Sequence, residues 1–161
     1  MLAPTAGTRL ASGAMQRENT SGSLPNLSES KAREHDVASQ PIDVLEVVTQ
    51  AINTGDVDAQ MAIYEPDAYF NFEQAGQGAI TGIPAIREAF TGFLAMKPNI
   101  TMRLLSCNQA GNIAVIRNAW HLTCTGQDGN PMEMSGQTVV VLRRQSDGNW
   151  LVLVDNPYGL D

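Results

Sequence analysis

Two cysteines, Cys107 and Cys124, are all that a chain of 161 residues offers. Two do not make a disulfide framework, and both sit inside apolar, strand-like runs, so they read as buried free thiols. No apolar run approaches the ~18 residues that a membrane helix needs. Near the N-terminus, Pro4, Thr5, Gly7, Thr8 and Arg9 interrupt any continuous apolar stretch of the signal-peptide kind, and a cytoplasmic location is the resulting expectation. Bases are scarce too. Ten Lys and Arg against 17 Asp and Glu leave a formal net charge of −7, which argues against nucleic acid or an acidic membrane surface as partner, because both require clustered cations. With two histidines and no HxxxH or CxxC spacing there is no ligand cluster, so no metal and no cofactor is expected. The chain also lacks GxSxG, a phosphate-cradling glycine loop, and a cysteine sharing a strand face with a histidine, which removes support for nucleophilic catalysis.

Aromatic residues are missing altogether from positions 1–40, a segment rich in Ser, Gly, Ala, Asn and Glu. Such a composition buries too little apolar area to offset the entropy of ordering, so 1–40 reads as a disordered tail and 41–161 as a single domain. Four bases (Arg9, Arg17, Lys31, Arg33) balance four acids (Glu18, Glu29, Glu34, Asp36) there, and the whole negative charge therefore belongs to the domain.

What is present is periodicity. Pro41 suits the first turn of a helix, and Ile42, Leu45, Val48 and Ile52 recur at spacings of three and four up to Gly55. Asp56 has the character of a cap for a second helix, 57–64, which Pro66 ends. A strand over 68–72 and a glycine-rich loop (Gly76, Gly78, Gly82) lead to a third helix between Pro84 and Pro98, with Ile86, Phe90, Phe93 and Leu94 on one face. Beyond Pro98 the period drops from about 3.6 to 2, giving four strands at 99–107, 112–125, 132–144 and 149–156. Gly111-Asn112, Asp128-Gly129 and Asp147-Gly148 mark the hairpin turns between them. The fold class is α+β: a curved antiparallel meander packed on three N-terminal helices.

Several stretches together resemble the SnoaL-like and ketosteroid-isomerase-homologue families of the nuclear transport factor 2-like superfamily. They are Gln50–Asp56, Tyr64–Ala68, Gly82–Phe90, Trp120 on a long strand, the hairpin Arg143–Trp150, and the closing Val154–Gly159. The resemblance implies a cone-shaped sheet with an apolar cavity, a homodimer formed by the sheets' outer faces, and a small apolar ligand. It does not carry over steroid isomerase chemistry. The family's tyrosine position falls near Val48, its base position at Phe72, with Glu73 on the opposite face of a regular strand, and its protonated acid within Gln137–Val141, which contains none. The expected activity is either binding of a small hydrophobic metabolite, with acid–base chemistry of the cofactor-independent isomerase, cyclase or dehydratase type, or a non-catalytic homodimeric binding or assembly module.

The candidate site residues follow. Even positions of 112–125 form the apolar, inward face, so Asn118 is a lone amide on a cavity wall and Trp120 a flat surface beside it. His121 falls on the outer face with Ile113, Val115 and Arg117, where a two-fold partner would cover the aliphatics and place Arg117 against an acid such as Glu133. Asp155, before the Asn156-Pro157 turn, is either a base raised in pKa at an apolar mouth or an acceptor for backbone groups of that turn. Glu73 serves as a second acid only if a bulge turns it inward. Tyr64 offers a hydroxyl, and Phe72 an apolar wall.

Overall fold

The structure, a computed structural model, describes residues 38–72 and 78–159. Of the tail read at 1–40, residues 1–37 lie outside what it describes, as do the role given to Glu73 and the side chain of Phe72. Helix α1, Asp43–Thr54, buries Val44, Ala51 and Ile52 on one face. Ile42, expected in that stripe, sits just before the helix and is exposed. Gly55 closes α1 in the left-handed conformation (φ 70°). The Asp56 carboxylate then accepts from the Ala59 amide at 2.9 Å and starts α2, Val57–Ala62. The chain is already packed before Pro41: Ala38 is buried and its carbonyl accepts from the Trp150 amide at 2.8 Å.

Strand β1, Tyr64–Phe72, begins four residues earlier than the sequence suggested, and Tyr64 opens a strand rather than closing a helix. Pro66 is the physical reason, since the residue before a proline is driven out of the helical region. The short β2, Gly78–Thr81, pairs antiparallel with it where the sequence suggested only loop; four residues are too few to show a period. Helix α3, Ile83–Leu94, buries Ile86 and Phe90. The four long strands follow as β3 (Asn99–Ala110), β4 (Ile113–Thr125), β5 (Pro131–Arg144) and β6 (Trp150–Asn156).

The sheet order is β2-β1-β6-β5-β4-β3. Strands β3 to β6 form the expected meander, but β1 lies parallel to β6, so the sheet is mixed rather than wholly antiparallel. No tight turn links these two strands, and hairpin geometry therefore does not fix their relative direction. The curved, unclosed sheet and the three helices form the cone expected from the sequence. Along β4 the parity holds: Ala114, Ile116, Asn118, Leu122 and Cys124 are buried, while Arg117, His121 and Thr123 are exposed. Cys124 is a buried thiol as expected. Cys107 is exposed, a correction, because it lies on the edge strand β3 beyond an irregularity between Leu104 and Ser106.

Asn53 joins the helices to this edge. Its Oδ1 accepts from the Ile100 amide at 2.7 Å and its Nδ2 donates to the Ile100 carbonyl at 2.9 Å, so one side chain takes the place of a missing neighbouring strand. Among the described residues no helix is long and apolar enough to cross a membrane.

Candidate functional site

Between the helices and the concave face of the sheet lies a cavity of about 780 Å³. Its walls are mainly apolar, with Val48, Ile52, Phe70, Phe93, Trp120 and Val140 among them, and among the described residues no Lys, Arg or His lines it. Gln60, Asn118, Thr138 and Asp155 are polar exceptions.

Asp155 reaches the cavity through a strand irregularity. On a regular β6, Trp150 and Val152 point inward, and so Asp155, an odd number of residues on, would point out. The register instead jumps: Val152 pairs with Leu142 but Val154 with Val141, which leaves Leu153 as an extra residue. The alternation resets, and Asp155 stands opposite the buried Val140 on one side and Phe70 on the other. A β-bulge re-aims a side chain in this way. On the neighbouring strand the β1–β6 register also slips, between Tyr64 and Tyr69, around Pro66, which has no amide to give to the ladder.

The two irregular strands bring Tyr64 and Asp155 together. The Tyr64 hydroxyl donates to Asp155 Oδ2 at 2.6 Å, while Oδ1, shielded from solvent, has no hydrogen-bond partner. The tyrosine ring is fixed by an aromatic cluster, 6.5 Å from Phe70 and 6.1 Å from Phe90, with Phe70 and Phe90 packed edge to face at 5.4 Å. Burial raises the Asp155 carboxyl to about 6, against which the bond from Tyr64 acts by favouring the carboxylate. The Tyr64 phenol is pushed well above its ordinary value, first by burial and then by the neighbouring carboxylate. A carboxyl poised near neutrality, one oxygen anchored and the other unpartnered on the wall of a largely apolar space, has what a general acid or base requires. Replacing Tyr64 by Phe removes the bond that favours the carboxylate, so the Asp155 carboxyl should titrate above 6 in Tyr64→Phe. Carboxyl-carbon NMR across pH 4 to 9 reads this directly, and an unmoved or lowered midpoint would disprove it.

The turn after β6 is not held by Asp155. Asn156 Nδ2 donates to the Gly159 carbonyl instead, leaving Asp155 to the cavity. Asn118 occupies its expected inward position, buried, with both amide atoms lacking a hydrogen-bond partner. Trp120 also lines the cavity, but its N–H is committed. Nε1 donates to the Pro157 carbonyl at 2.8 Å, and the same carbonyl accepts from Thr138 Oγ1 at 3.3 Å. The indole lies over Gly136, its partner on β5, where an added Cβ would come within 2.6 Å of Trp120 Cζ2.

His121 lies on the outer face as expected and binds Glu133 at 2.6 Å, while Arg117 donates to Gln137 at 3.1 Å. Glu133, the acid suggested for Arg117 across a two-fold axis, is thus engaged by His121 within its own chain. Val48, at the family's tyrosine position, is a plain wall residue. Among the described residues no group of three His, Cys, Asp or Glu could hold a metal ion.

Gln60 is the site residue that sequence reasoning missed. It is almost fully buried, lines the cavity, and has neither amide atom in a hydrogen bond of ordinary geometry, although its amide comes near enough to the Tyr64 hydroxyl to favour the phenolate. A helix of six residues carries too short a pattern to show that this glutamine points inward.

A family model described as SnoaL-like domain matches residues 44–152. No curated protein matches the chain in sequence. Among solved structures, a ketosteroid isomerase-like protein from Erwinia carotovora atroseptica is 18% identical, with a TM-score of 0.65 over 75% of this chain and 94% of its own. A nuclear transport factor 2 (NTF2-like) superfamily protein from Salmonella enterica serovar Typhimurium is 18% identical, with a TM-score of 0.62 over 76% and 92%. A conserved protein from Planctomyces limnophilus is 17% identical, with a TM-score of 0.65 over 78% and 94%. At these identities the likeness is one of fold.

Proposed function

The chain belongs to the SnoaL-like domain family, and on that premise we propose that it binds a small, largely apolar metabolite in its cavity and performs acid–base chemistry on it, with Asp155 as the proton-transferring group. The observation that carries this reading is the Tyr64–Asp155 pair: a carboxyl raised to about 6, tied through Oδ2 and unpartnered at Oδ1, on the wall of the cavity. Tyr64 orients the carboxyl. Asn118 presents a hydrogen-bonding amide and Trp120 a flat apolar wall. A volume of about 780 Å³ supports a ligand site, since such sites begin at roughly 300 Å³. No cofactor is needed for proton transfer of the isomerase, cyclase or dehydratase type. Mass spectrometry of small molecules that stay with the protein through purification and are released on denaturation tests the reading. Should nothing be retained, and no apolar probe bind at millimolar concentration, the cavity is not a ligand site.

The outer face of the sheet favours a second element of the proposal, a homodimer. Ile113, Val115, Val139 and Val141 are only half-buried there, next to Arg117 and Arg143, and a two-fold partner presenting the same patch would cover the aliphatics. In a non-catalytic assembly module this face would be the functional one. Sedimentation at micromolar concentration checks the dimer, and a monomer there removes it.

A further inference from the structure

We infer that Gln60 is a specificity-determining residue of the cavity, and that the ligand is an uncharged compound presenting a hydrogen-bond acceptor beside a donor: a carboxamide or a lactam. The inference rests on the ligand reading above and narrows it. Two observations carry it.

The first is the set of buried polar atoms left without partners. Gln60 Nε2 and Oε1, Asn118 Nδ2 and Oδ1, and Asp155 Oδ1 are all solvent-shielded, unbonded and on residues that line one cavity. Buried polar groups are nearly always paired, and each exception calls for a partner. A hydrocarbon leaves every one of them unmatched. Gln60 and Asp155 also belong together, because both approach the same Tyr64 hydroxyl, Asp155 as its acceptor at 2.6 Å and Gln60 from close by. At that end of the cavity the Gln60 amide and the Asp155 Oδ1 acceptor both lack partners, on residues that line the same wall. Their complement is an acceptor next to a donor, the edge that a carboxamide or a lactam carries.

The second observation is charge. Among the described residues the lining contains two acids, Glu88 and Asp155, and no Lys, Arg or His. An anionic ligand would lose its hydration with no cation to replace it, next to a carboxylate once Asp155 is ionised. A carboxylate or phosphate ligand is therefore rejected although its carbon skeleton fits.

Three naphthalenes of nearly equal size test this by calorimetry at pH 8: 6-hydroxy-2-naphthamide, 6-hydroxy-2-naphthoate and 2-methylnaphthalene. The wild-type protein should bind the amide at least ten-fold more tightly than either of the others. In Gln60→Leu the amide should weaken at least ten-fold while 2-methylnaphthalene binds as well as before or better. The empty variant should melt no lower than wild type, since a buried amide without partners has been removed; a lower melting temperature would mark Gln60 as a structural residue and overturn the inference. Equal binding of the naphthoate, or amide binding indifferent to Gln60→Leu, would overturn it and leave the ligand reading standing. Failure of all three probes to bind would overturn the inference, and the ligand reading with it if no small molecule is retained through purification either.

Discussion

Asp155→Asn should be more stable than the wild-type protein above neutrality and no more stable at pH 4, while losing whatever proton-transfer activity the cavity supports. The stability arm follows from linkage. The folded carboxyl titrates at about 6, above its ordinary 3.8, because burial disfavours the charged form. The protein therefore benefits from a protonated Asp155 below pH 4, and that benefit is lost as pH rises through 6. A difference of about two units corresponds to roughly 3 kcal/mol. Asparagine is neutral throughout and retains an oxygen that accepts from Tyr64, so it removes the penalty and keeps the bond. Urea denaturation at pH 4 and pH 8 reads the effect: the gap between variant and wild type should open by up to about 3 kcal/mol between the two. A gap that stays constant with pH would show that Asp155 is not held at a raised value. On activity, once a turned-over ligand is known, loss of a positioned general base lowers the rate by about 10²–10⁴-fold.

A residue that destabilises the folded state above its pKa is the kind of local conflict that marks functional sites. Part of it was legible in the sequence. Asp155 and Tyr64 are a titratable group beside an Asn-Pro turn and a hydroxyl two residues before a proline, and each is recognisable singly. Their pairing was not legible, because it depends on two strand irregularities that move register without changing residue type: the extra Leu153 in β6 and the slip around Pro66 in β1. A count of two along a regular strand places Asp155 outside. For β4, which has no irregularity against β5 over its whole length, the same count placed Asn118 and Trp120 inside and His121 outside, as the structure has them. The meander from β3 to β6 was equally legible, because its period persists over long strands and its turns contain glycine after Asp or before Asn. The parallel pairing of β1 with β6 was not. It joins residues some 85 positions apart, such as Phe70 and Asp155, and no local pattern encodes such a contact. Gln60 was missed for the opposite reason, a helix too short to display a face.

Gly136→Val should destabilise the fold and open the cavity wall together. An ideal Cβ at position 136 would stand 2.6 Å from Trp120 Cζ2 and 2.9 Å from Cε2. Those atoms belong to a rigid ring rather than to the end of a flexible chain, so the indole must swing away or the strands must part. Forcing extra carbons into a packed wall costs about 1–3 kcal/mol. A displaced indole also loses the bond from Nε1 to the Pro157 carbonyl, worth about 0.5–1.5 kcal/mol. That bond, with the one from Thr138, fixes the segment after β6, in which Tyr158 packs against Trp120 at 6.5 Å between ring centres. The expected outcome is a loss of about 2–4 kcal/mol in urea denaturation and a red-shifted tryptophan emission that reports Trp120, since Trp150 is buried elsewhere in the core. Gly136→Ala should show the same changes, smaller. If Gly136→Val matched wild type in both midpoint and emission, the close contact between Trp120 and β5 would not exist, and the wall it forms beside Asn118 would have to be placed elsewhere.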